Sequence, residues 1–469
     1  MAPSPDTTVA VAPIDPQRLA PILGDARVAE LIVAADRLRQ VLAGRRIVNV
    51  NSTATGGGVA EMLASLVGYA LGAGLETDWL VIDGDPEFFE VTKRVHNGLY
   101  GAPGDGGELG PAEHAHYERV TRRNLERIRP SVRPGDVVIV HDPQPAGLIG
   151  PLAAMGAHVI WRCHVGHDSG NEWTERAWAF VRPYVEPAHA FVFSREPFAP
   201  AWIERARLRA IPPSIDPFAP KNRELRGAEV PALLRAAALL AGDGALHPLD
   251  PRVRHAAVVV RDGDPLHENV PLVVQVSRWD RMKDMAGVMH GFVEHVPAGE
   301  ARLVLAGPET DGVDDDPEGA EVWQETVADW RRLPQAARAR VQLVAISMAD
   351  PVENALVVNA LQRHAAVVVQ KSLAEGFGLT VAEAMWKARP VVASAVGGIV
   401  DQVVDGETGL LVDDPSDLAG FGAAVARLLG DPVEAERLGR NARRHVEQRF
   451  LGDRHLLDYA TLLEELVVA

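Results

Sequence analysis

Short runs of valine, isoleucine and leucine recur along the chain, and a stretch long enough for a helix follows each run. Such runs are typical of strands buried on both faces of a parallel sheet, with crossover helices between them. The runs form two sets, the first near 45–51, 78–83, 135–142, 158–164 and 189–194, the second near 271–277, 301–307, 340–347, 365–372 and 389–395. The pattern therefore predicts an α/β protein with two doubly wound, Rossmann-like domains.

The segment IPPSIDPFAP separates the two sets, and its proline density disfavours a packed helix or a central strand. We therefore predict an N-terminal domain over 1–217 and a C-terminal domain over 266–445. Residues 218–265 combine an Ala/Leu-rich helical segment with loop-like sequence, which indicates a helical linker region. Apolar residues at helical spacing over 433–469 predict closing helices, and we expect the segment 446–469 to cross back to the first domain.

Composition narrows the class of protein. A length of 469 residues exceeds what one core usually supports, and 47% apolar with 24% charged residues is ordinary for a globular chain. The absence of a long apolar run or a secretory leader predicts a cytoplasmic protein with no membrane segment. Acidic residues outnumber Lys plus Arg by 64 to 47, which disfavours an extended nucleic-acid or anionic-membrane surface. Anionic ligands would have to be met by local basic groups.

The single cysteine, Cys163, cannot form an internal disulfide, which agrees with a reducing compartment. It lies in HVIWRCHVG, at the end of an apparent buried strand. We interpret it as a small buried apolar residue rather than a reactive thiol.

Three successive glycines follow the first predicted strand, in NSTATGGGVAEML. The strand ends at Asn51, and Gly56, Gly57 and Gly58 lead into a helix predicted to start near Val59. Glycines here let backbone amides approach an anion at the positive end of the helix. The alternative is a tight strand-to-helix turn, but three glycines exceed what a turn requires, so we favour ligand contact.

Two cations follow the first strand of the second set, in VSRWDRMKD. Arg278 and Lys283 suit a diphosphate, because arginine gives forked hydrogen bonds and lysine a point charge. Taken by themselves, the two residues fit a pair of solvated surface cations better.

The most specific pattern is KSLAEGFGLTVAEAMWKARPVVASAVGG, in which seven residues separate Glu375 from Glu383. Glu383 is predicted on a helix that begins near Leu379, with Glu375 in the preceding loop. Carboxylates accept hydrogen bonds from vicinal hydroxyls, such as those of a ribose or a hexose, while loop amides and the helix dipole receive phosphate. Two solvated helix glutamates are the alternative, and the flanking EGFG argues against it.

These segments together resemble the donor site of glycosyltransferase family four, in the GT-B architecture of two Rossmann-like domains facing each other across a cleft. The segments DPEFFEVTKRVHN, HDPQP, WRCHVG and IPPSIDP, with the region from EAMWKARPVVASAVGG to GETGLLV, are further similar to the trehalose glycosyl-transferring synthases. The similarity runs from about residue 46 to 450. It implies a retaining hexosyltransferase that reversibly forms trehalose from glucose and ADP-, UDP- or GDP-glucose.

The resemblance also implies residue roles. Arg278 and Lys283 would hold the diphosphate, Glu375 the donor sugar and Glu383 the ribose. His164 matches the family histidine near the transferred sugar, although a lone histidine at a strand end is otherwise more often structural. Donor contacts are further implied for Gly57, Gly58, Gly376, Phe377, Gly378 and Leu379, and acceptor contacts for Lys93, Asn97, Asp142 and Gln144. Arg278, Lys283, Glu375 and His164 would be catalytic.

The resemblance departs at Asp284, because glycine commonly follows the diphosphate lysine in the family; we expect altered loop geometry there. His164 and His167 supply only two metal ligands and make no closed site. Metal-independent phosphate neutralisation, with no tightly bound cofactor, is what the resemblance implies. It also suggests a homodimer.

No carboxylate pair can be assigned the nucleophile and acid roles of retaining glycosidases. We therefore expect same-face attack, in which the departing phosphate oxygen accepts the acceptor's proton and domain closure excludes water. Three alternatives stay open: a trehalose phosphorylase, a family-four transferase with another acceptor such as glycerate or a sugar phosphate, and a sugar-nucleotide sensor without turnover.

Overall fold

The structure, a computed structural model, describes residues 7–55, 57–242, 253–310 and 317–468. Gly56 of the predicted anion loop lies outside the described residues. The chain divides into two compact units, the first formed by Met1–Ser214 with Phe450–Ala469 and the second by Ile215–Arg449. No helix in the described ranges is long and apolar enough to cross a membrane.

The first unit is built on a parallel sheet whose strand order is β2-β1-β3-β4-β5-β6. Each of the five predicted runs forms one of its strands, and β6 is an addition that the sequence did not predict. The strands are β1 (Ile47–Asn51), β2 (Thr77–Val81), β3 (Val137–His141), β4 (His158–Cys163), β5 (Ala190–Phe193) and β6 (Leu208–Ala210).

Helices cover both faces of this sheet. They are α1 (Ala20–Leu23), α2 (Asp25–Leu42), α3 (Gly57–Gly72), α4 (Pro86–Leu99), α5 (Pro111–Ile128), α6 (Ile149–Ala154) and α7 (Glu172–Val185). One apolar core lies between the sheet and α4 to α7, and a second lies on the side of α2. Helix α3 starts two residues before the predicted Val59, so Gly57 and Gly58 form its first turn.

The second unit has the strand order β13-β12-β11-β8-β9-β10-β7, and only the pairing of β7 with β10 is antiparallel within the described sheet. The five predicted runs form β8 to β12. The strands are β7 (Val258–Val260), β8 (Leu272–Val276), β9 (Arg302–Pro308), β10 (Val341–Ile346), β11 (Val367–Gln370), β12 (Val391–Ser394) and β13 (Leu410–Val412). Residues 218–265 thus contain an edge strand as well as a helix.

The helices of this unit are α8 (Glu229–Ala236), α9 (Met285–His295), α10 (Pro317–Arg332), α11 (Gln335–Arg338), α12 (Pro351–His364), α13 (Leu379–Trp386), α14 (Ile399–Gln402), α15 (Leu418–Gly430) and α16 (Pro432–Arg449). The main core packs α9, α10 and α15 against the sheet. Helix α8, from the region 218–265, packs on α12.

The last helix, α17 (Gly452–Val468), belongs to the first unit, where it packs along α2. Its apolar face joins the core on that side of the sheet. Buried Asp453 pairs with Arg27, with 2.6 Å between Nη2 and Oδ2. Glu464 pairs with Arg37 at 2.7 Å.

Each sheet changes winding direction once between neighbouring strands. In the first, the crossover from β1 leads to β2 on one side, while β3 to β6 follow on the other; in the second, β9 and β10 lie beyond β8, and β12 and β13 beyond β11. Open α/β sheets bind ligands outside the carboxyl ends of strands at such switch points. The strand pairs β1/β3 and β8/β11 therefore mark the expected sites.

Candidate functional site

The predicted cation and carboxylate of the second unit meet at its switch point. Lys283 follows β8 in a short 3-10 turn, and Glu375 follows β11. The Lys283 Nζ lies 2.7 Å from Oε2 of Glu375, and Ser372 Oγ donates to the same oxygen at 3.3 Å. Glu375 is only 8% exposed, so its charge is held by these partners rather than by bulk water.

Arg278 lies on the same loop, beside the turn that carries Lys283. Its Nη2 donates to Asp280 Oδ2 at 3.1 Å, while Oδ1 of Asp280 accepts the Met282 amide at 2.8 Å. The arginine side chain is 42% exposed, so it can reach a ligand. Asp280 both caps the turn and orients the guanidinium.

The EGFG loop is held by residues that the sequence analysis did not single out. Gly397 has φ +50°, and a Cβ there would lie 1.7 Å from the backbone oxygen of Glu375. A Cβ on Gly398 would lie 2.6 Å from the Cα of Phe377. Gln402 donates to the Phe377 carbonyl. The glycine pair in VASAVGG was the available signal, because two successive glycines after a strand indicate a close backbone approach.

Helix α13 begins at Leu379, as predicted, and Gly378 caps it in a left-handed conformation with φ +86°. Glu383 lies on this helix, is 3% exposed, and has Oε1 4.0 Å from the Lys221 Nζ. The backbone amides at the start of the helix and the helix dipole favour an anion at this end. The second predicted carboxylate thus lies one helix turn beyond the EGFG loop.

Lys387 is a buried cation beside Glu383 that was not predicted. Its Nζ donates to Gln362 Oε1 at 2.8 Å, to Asn222 Oδ1 at 3.2 Å and to the Glu383 carbonyl at 3.1 Å. Burial lowers the pKa of Lys387 to about 7, against the attraction of the Glu383 carboxylate, which raises it. Its three acceptors fix α13 to α12 and to the segment around Asn222.

Asp284 explains how the loop accommodates a residue other than glycine. Its backbone is left-handed, with φ +48°, a conformation that aspartate tolerates better than most residues. Its Oδ1 accepts the Gly287 amide at 3.0 Å and so caps α9. Its Oδ2 forms an ion pair with buried Lys371. Asp284 thus forms a capped turn at the position where the family commonly has glycine.

In the first unit, Asp142 and His164 come together after β3 and β4. The His164 amide donates to Asp142 Oδ1 at 2.7 Å. His164 Nε2 lies 3.2 Å from Nδ1 of His141, whose Nε2 lies 3.1 Å from Asn49 Oδ1. Asp142 has φ +64°, a rare backbone conformation for a non-glycine residue that often marks a functional position.

Burial dominates the titration of this cluster. It raises the pKa of Asp142 to about 7, against the His164 amide and Arg162, which lower it. Burial also lowers the pKa of His141 to about 3 and that of His164 well below its usual value, and the positive charge of Arg162 lowers both further. The histidines are therefore neutral at pH 7, when Asp142 is half ionised.

Arg162 lies on β4 and is fully buried, and its guanidinium nitrogens have no hydrogen-bond partner within the described ranges. Burial accordingly lowers its pKa, while Tyr459 and Asp142 raise it. Neighbouring Cys163 is also fully buried, and its Sγ donates to the Val165 carbonyl at 3.2 Å. Burial raises the pKa of this thiol well above its usual value, which supports the predicted structural role.

The other predicted ligands lie on separate elements of the first unit. Lys93 and Asn97 share one face of α4, four residues apart, and Gln144 lies between β3 and α6. Across the described part of the chain, the side chains of Asn97 and Gln144 form no hydrogen bond with Asp142. A Cβ on Gly57, whose φ is +80°, would meet open space. The described residues contain no group of three metal-ligating side chains, and His167 instead contacts the Ser169 backbone.

Comparison with known proteins assigns families to both parts of the chain. Residues 49–200 match the family described as "Trehalose synthase, N-terminal domain", and residues 261–445 match "Glycosyl transferases group 1". A trehalose synthase of Rubrobacter xylanophilus is 38% identical over 442 residues, covering 93% of this chain and 94% of that protein. The chain belongs to the trehalose synthase family. A second trehalose synthase, from Pyrococcus horikoshii, is 35% identical over 95% of both chains.

Solved structures confirm the GT-B fold of this trehalose synthase family member. A sucrose-phosphate synthase from Thermosynechococcus elongatus aligns with a TM-score of 0.64 at 18% identity, over 90% of this chain and 99% of that one. A structure described as trehalose-6-phosphate from E. coli bound with UDP-2-fluoro glucose aligns with a TM-score of 0.67 at 15% identity, with the same coverage. The chain is thus a hexosyltransferase of trehalose metabolism with two Rossmann-like domains.

Proposed function

We propose that this trehalose synthase family member transfers glucose from a nucleoside diphosphate glucose to free glucose, with retention at the donor carbon, and so forms trehalose. The observation that carries the proposal is the contact between Lys283 and Glu375 at the switch point of the second sheet. It joins a diphosphate-binding cation to a carboxylate that accepts sugar hydroxyls. The donor's sugar and phosphate would meet there.

The positions of these residues support the proposed donor roles. Arg278 and Lys283 neutralise the diphosphate, helped by the amides of Gly376 to Leu379 at the positive end of α13. Glu375 accepts hydrogen bonds from the donor glucose, and Glu383, inside α13, accepts them from the ribose. In the first unit, the start of α3 at Gly57 and Gly58 offers further amides.

The acceptor would bind in the first unit, with Asp142, Gln144, Lys93 and Asn97 contacting the hydroxyls of glucose. The imidazole of His164 is neutral, and its backbone amide donates a hydrogen bond to Asp142. The imidazole would donate a hydrogen bond to, or accept one from, the sugar being transferred. When ionised, Asp142 is a strong hydrogen-bond acceptor for a hydroxyl of the acceptor glucose.

The reaction breaks the bond between the donor's anomeric carbon and the phosphate oxygen, and forms one to the acceptor's anomeric oxygen on the same face. The acceptor proton passes to the departing phosphate oxygen, so no protein carboxylate needs to form a covalent intermediate. Arg278 and Lys283 stabilise the charge that develops on the diphosphate. The products are trehalose and a nucleoside diphosphate.

A trehalose phosphorylase is the second candidate, because such enzymes are among the relatives. The Pleurotus pulmonarius trehalose phosphorylase is 24% identical over 89% of this chain, although the match spans only 56% of that protein. The same cation pair would then bind inorganic phosphate in place of the nucleotide.

One assay separates the candidates. Purified protein is incubated with glucose and ADP-, UDP- or GDP-glucose, and trehalose and nucleoside diphosphate are quantified; glycerate and glucose 6-phosphate replace glucose in parallel. We expect equimolar trehalose and nucleoside diphosphate with glucose. In the reverse direction, trehalose is incubated with inorganic phosphate or with a nucleoside diphosphate. Breakdown of trehalose with phosphate, and with no nucleoside diphosphate, would establish the phosphorylase. Donor binding without any product would indicate a sensor.

A further inference from the structure

We propose that Asp284 and Lys371 are positioning residues that set the place of Lys283 relative to Glu375. The four residues form two adjacent ion pairs of opposite polarity, Lys283 with Glu375 and Asp284 with Lys371, which we call the double ion pair. The inference rests on the proposed function, because the ligand that Lys283 meets is the donor diphosphate. It concerns what holds the lysine in place before the donor arrives.

The double ion pair joins two loops that are far apart in sequence. Lys283 and Asp284 are consecutive on the loop after β8, whereas Lys371 and Glu375 lie four residues apart on the loop after β11. Because Lys283 and Asp284 are consecutive, shifting the loop after β8 by one residue would place Asp284 opposite Glu375 or Lys283 opposite Lys371. Such a shift costs free energy, so the charges select one register.

Backbone hydrogen bonds follow the same register. The Leu373 amide donates to the Met282 carbonyl at 2.8 Å. Buried Gln275, on β8, connects both loops, since its Nε2 donates to the Lys283 carbonyl at 2.8 Å and its Oε1 accepts the Lys371 amide at 3.0 Å. The two ion pairs therefore act on loops that already contact each other.

Burial makes the second pair sensitive to loss of either partner. The side chain of Lys371 is 1% exposed and that of Asp284 is 20% exposed. A buried charge that loses its partner is costly, so it turns to the nearest opposite charge. We expect Lys371 then to compete for Glu375, on the same loop, and Asp284 to compete for the adjacent Lys283. Removing either member thus draws a donor-binding residue out of place.

Removing both charges at once takes away this competition. The substitutions are Asp284→Asn, Lys371→Met and the double variant D284N/K371M. Asparagine keeps an oxygen that can cap α9 and tolerates the left-handed backbone. Methionine keeps most of the lysine's apolar stem. Each single variant leaves one uncompensated charge beside the remaining Lys283–Glu375 pair, and the double variant leaves none.

The test measures the donor's Michaelis constant, turnover and calorimetric binding of nucleoside diphosphate. We expect each single variant to weaken nucleotide binding and raise the donor's Michaelis constant by at least about fivefold, and the double variant to return within about threefold of wild type. The matched control is Arg281→Gln on the same loop, whose exposed Nη1 pairs with Glu325 at 2.6 Å; binding should not change. Wild-type binding in both single variants, or simply additive losses in the double, would overturn the proposal.

Two further measurements separate other causes. Melting temperatures of all variants show whether a substitution only destabilises the fold. A variant that melts earlier but whose folded protein binds nucleotide with unchanged affinity would refute a positioning role. A crystal structure of D284N should show Glu375 turned from Lys283 towards Lys371; an unchanged contact overturns the inference. If the wild type binds no nucleoside diphosphate, the proposed function fails, and this crystal structure still decides the positioning role.

Discussion

Lys283 has two tasks that conflict at the level of a single residue. It neutralises a carboxylate that is almost fully buried, and in the proposed function it also faces the diphosphate of the donor. Pairing with Glu375 keeps the lysine side chain ordered, whereas a solvated side chain would have to be ordered when the ligand binds. The pair therefore keeps the site charge-balanced and Lys283 in place.

Replacing Lys283 with alanine should lower turnover by about tenfold to a thousandfold, because the leaving diphosphate loses a stabilising charge. Arg278→Ala should fall in the same range. Steady-state kinetics with saturating glucose measures both, and Arg331→Ala, in the last turn of α10, serves as the control. Wild-type turnover in either variant would remove these residues from the donor site.

The pH dependence should be set by Asp142. Its raised pKa of about 7 means that it is protonated below that pH and ionised above it. His141 and His164 have lowered pKa values and stay neutral there. We expect kcat/KM for glucose to fall as pH drops below about 7, by about tenfold per unit once the carboxyl is mostly protonated.

The matched test compares Asp142→Asn with Asp83→Asn, a carboxylate whose side chain is 60% exposed. The Asp142→Asn variant should have reduced activity, and its kcat/KM should no longer fall at acid pH, because its amide does not titrate. The Asp83→Asn variant should keep the activity and the acid limb of the wild-type pH profile. An acid limb that survives in the Asp142 variant would assign it to another group.

At the scale of elements, the EGFG loop depends on the turn between β12 and α14. Gly397→Ala should displace the loop, since the new Cβ would collide with the Glu375 carbonyl, a backbone atom. We expect donor binding at least about tenfold weaker, measured by calorimetry with nucleoside diphosphate.

Gly406→Ala is the matched control for that substitution. Gly406 has a positive φ of +72°, but a Cβ there would meet nothing within 4 Å. It therefore carries the same kind of backbone strain, about 1–2 kcal/mol, without a collision. Equal loss of binding in both variants would mean that strain, not the close approach, matters.

The sequence predicted the long elements and missed the short ones, for a physical reason. The Val-rich strands stand out because both of their faces are buried. In contrast β6, β7 and β13 span three residues each, too short to show a pattern. Likewise local spacing is enough to single out Glu375 and Glu383 as candidates, and the resemblance adds Arg278 and Lys283. The Asp284–Lys371 pair joins positions 87 residues apart and emerges only from the parallel neighbours β8 and β11.

At the scale of the whole molecule, the last helix completes the unit that the chain started. Helix α17 buries Leu462 and Leu463 in the core beside α2, and its buried His455 holds the Pro212 carbonyl at 3.1 Å. Each leucine is worth about 1.5–3 kcal/mol on full burial, while net stabilities are about 5–15 kcal/mol. The first unit therefore depends on residues that come after the whole of the second unit in the sequence.

Ending the chain at Arg449 should thus unfold or loosen the first unit while the second keeps its own core. Hydrogen exchange read by mass spectrometry should show faster exchange in β1 to β5 and unchanged protection in β8 to β12. The reason is that α17 belongs to the first unit, whereas β8 to β12 belong to the second. Removing only 468–469 is the control, since Val468 is 76% exposed. Unchanged protection of β1 to β5 in the longer truncation would show that α17 adds little to the first unit. Faster exchange throughout β8 to β12 would instead show that the two units do not fold as separate cooperative bodies.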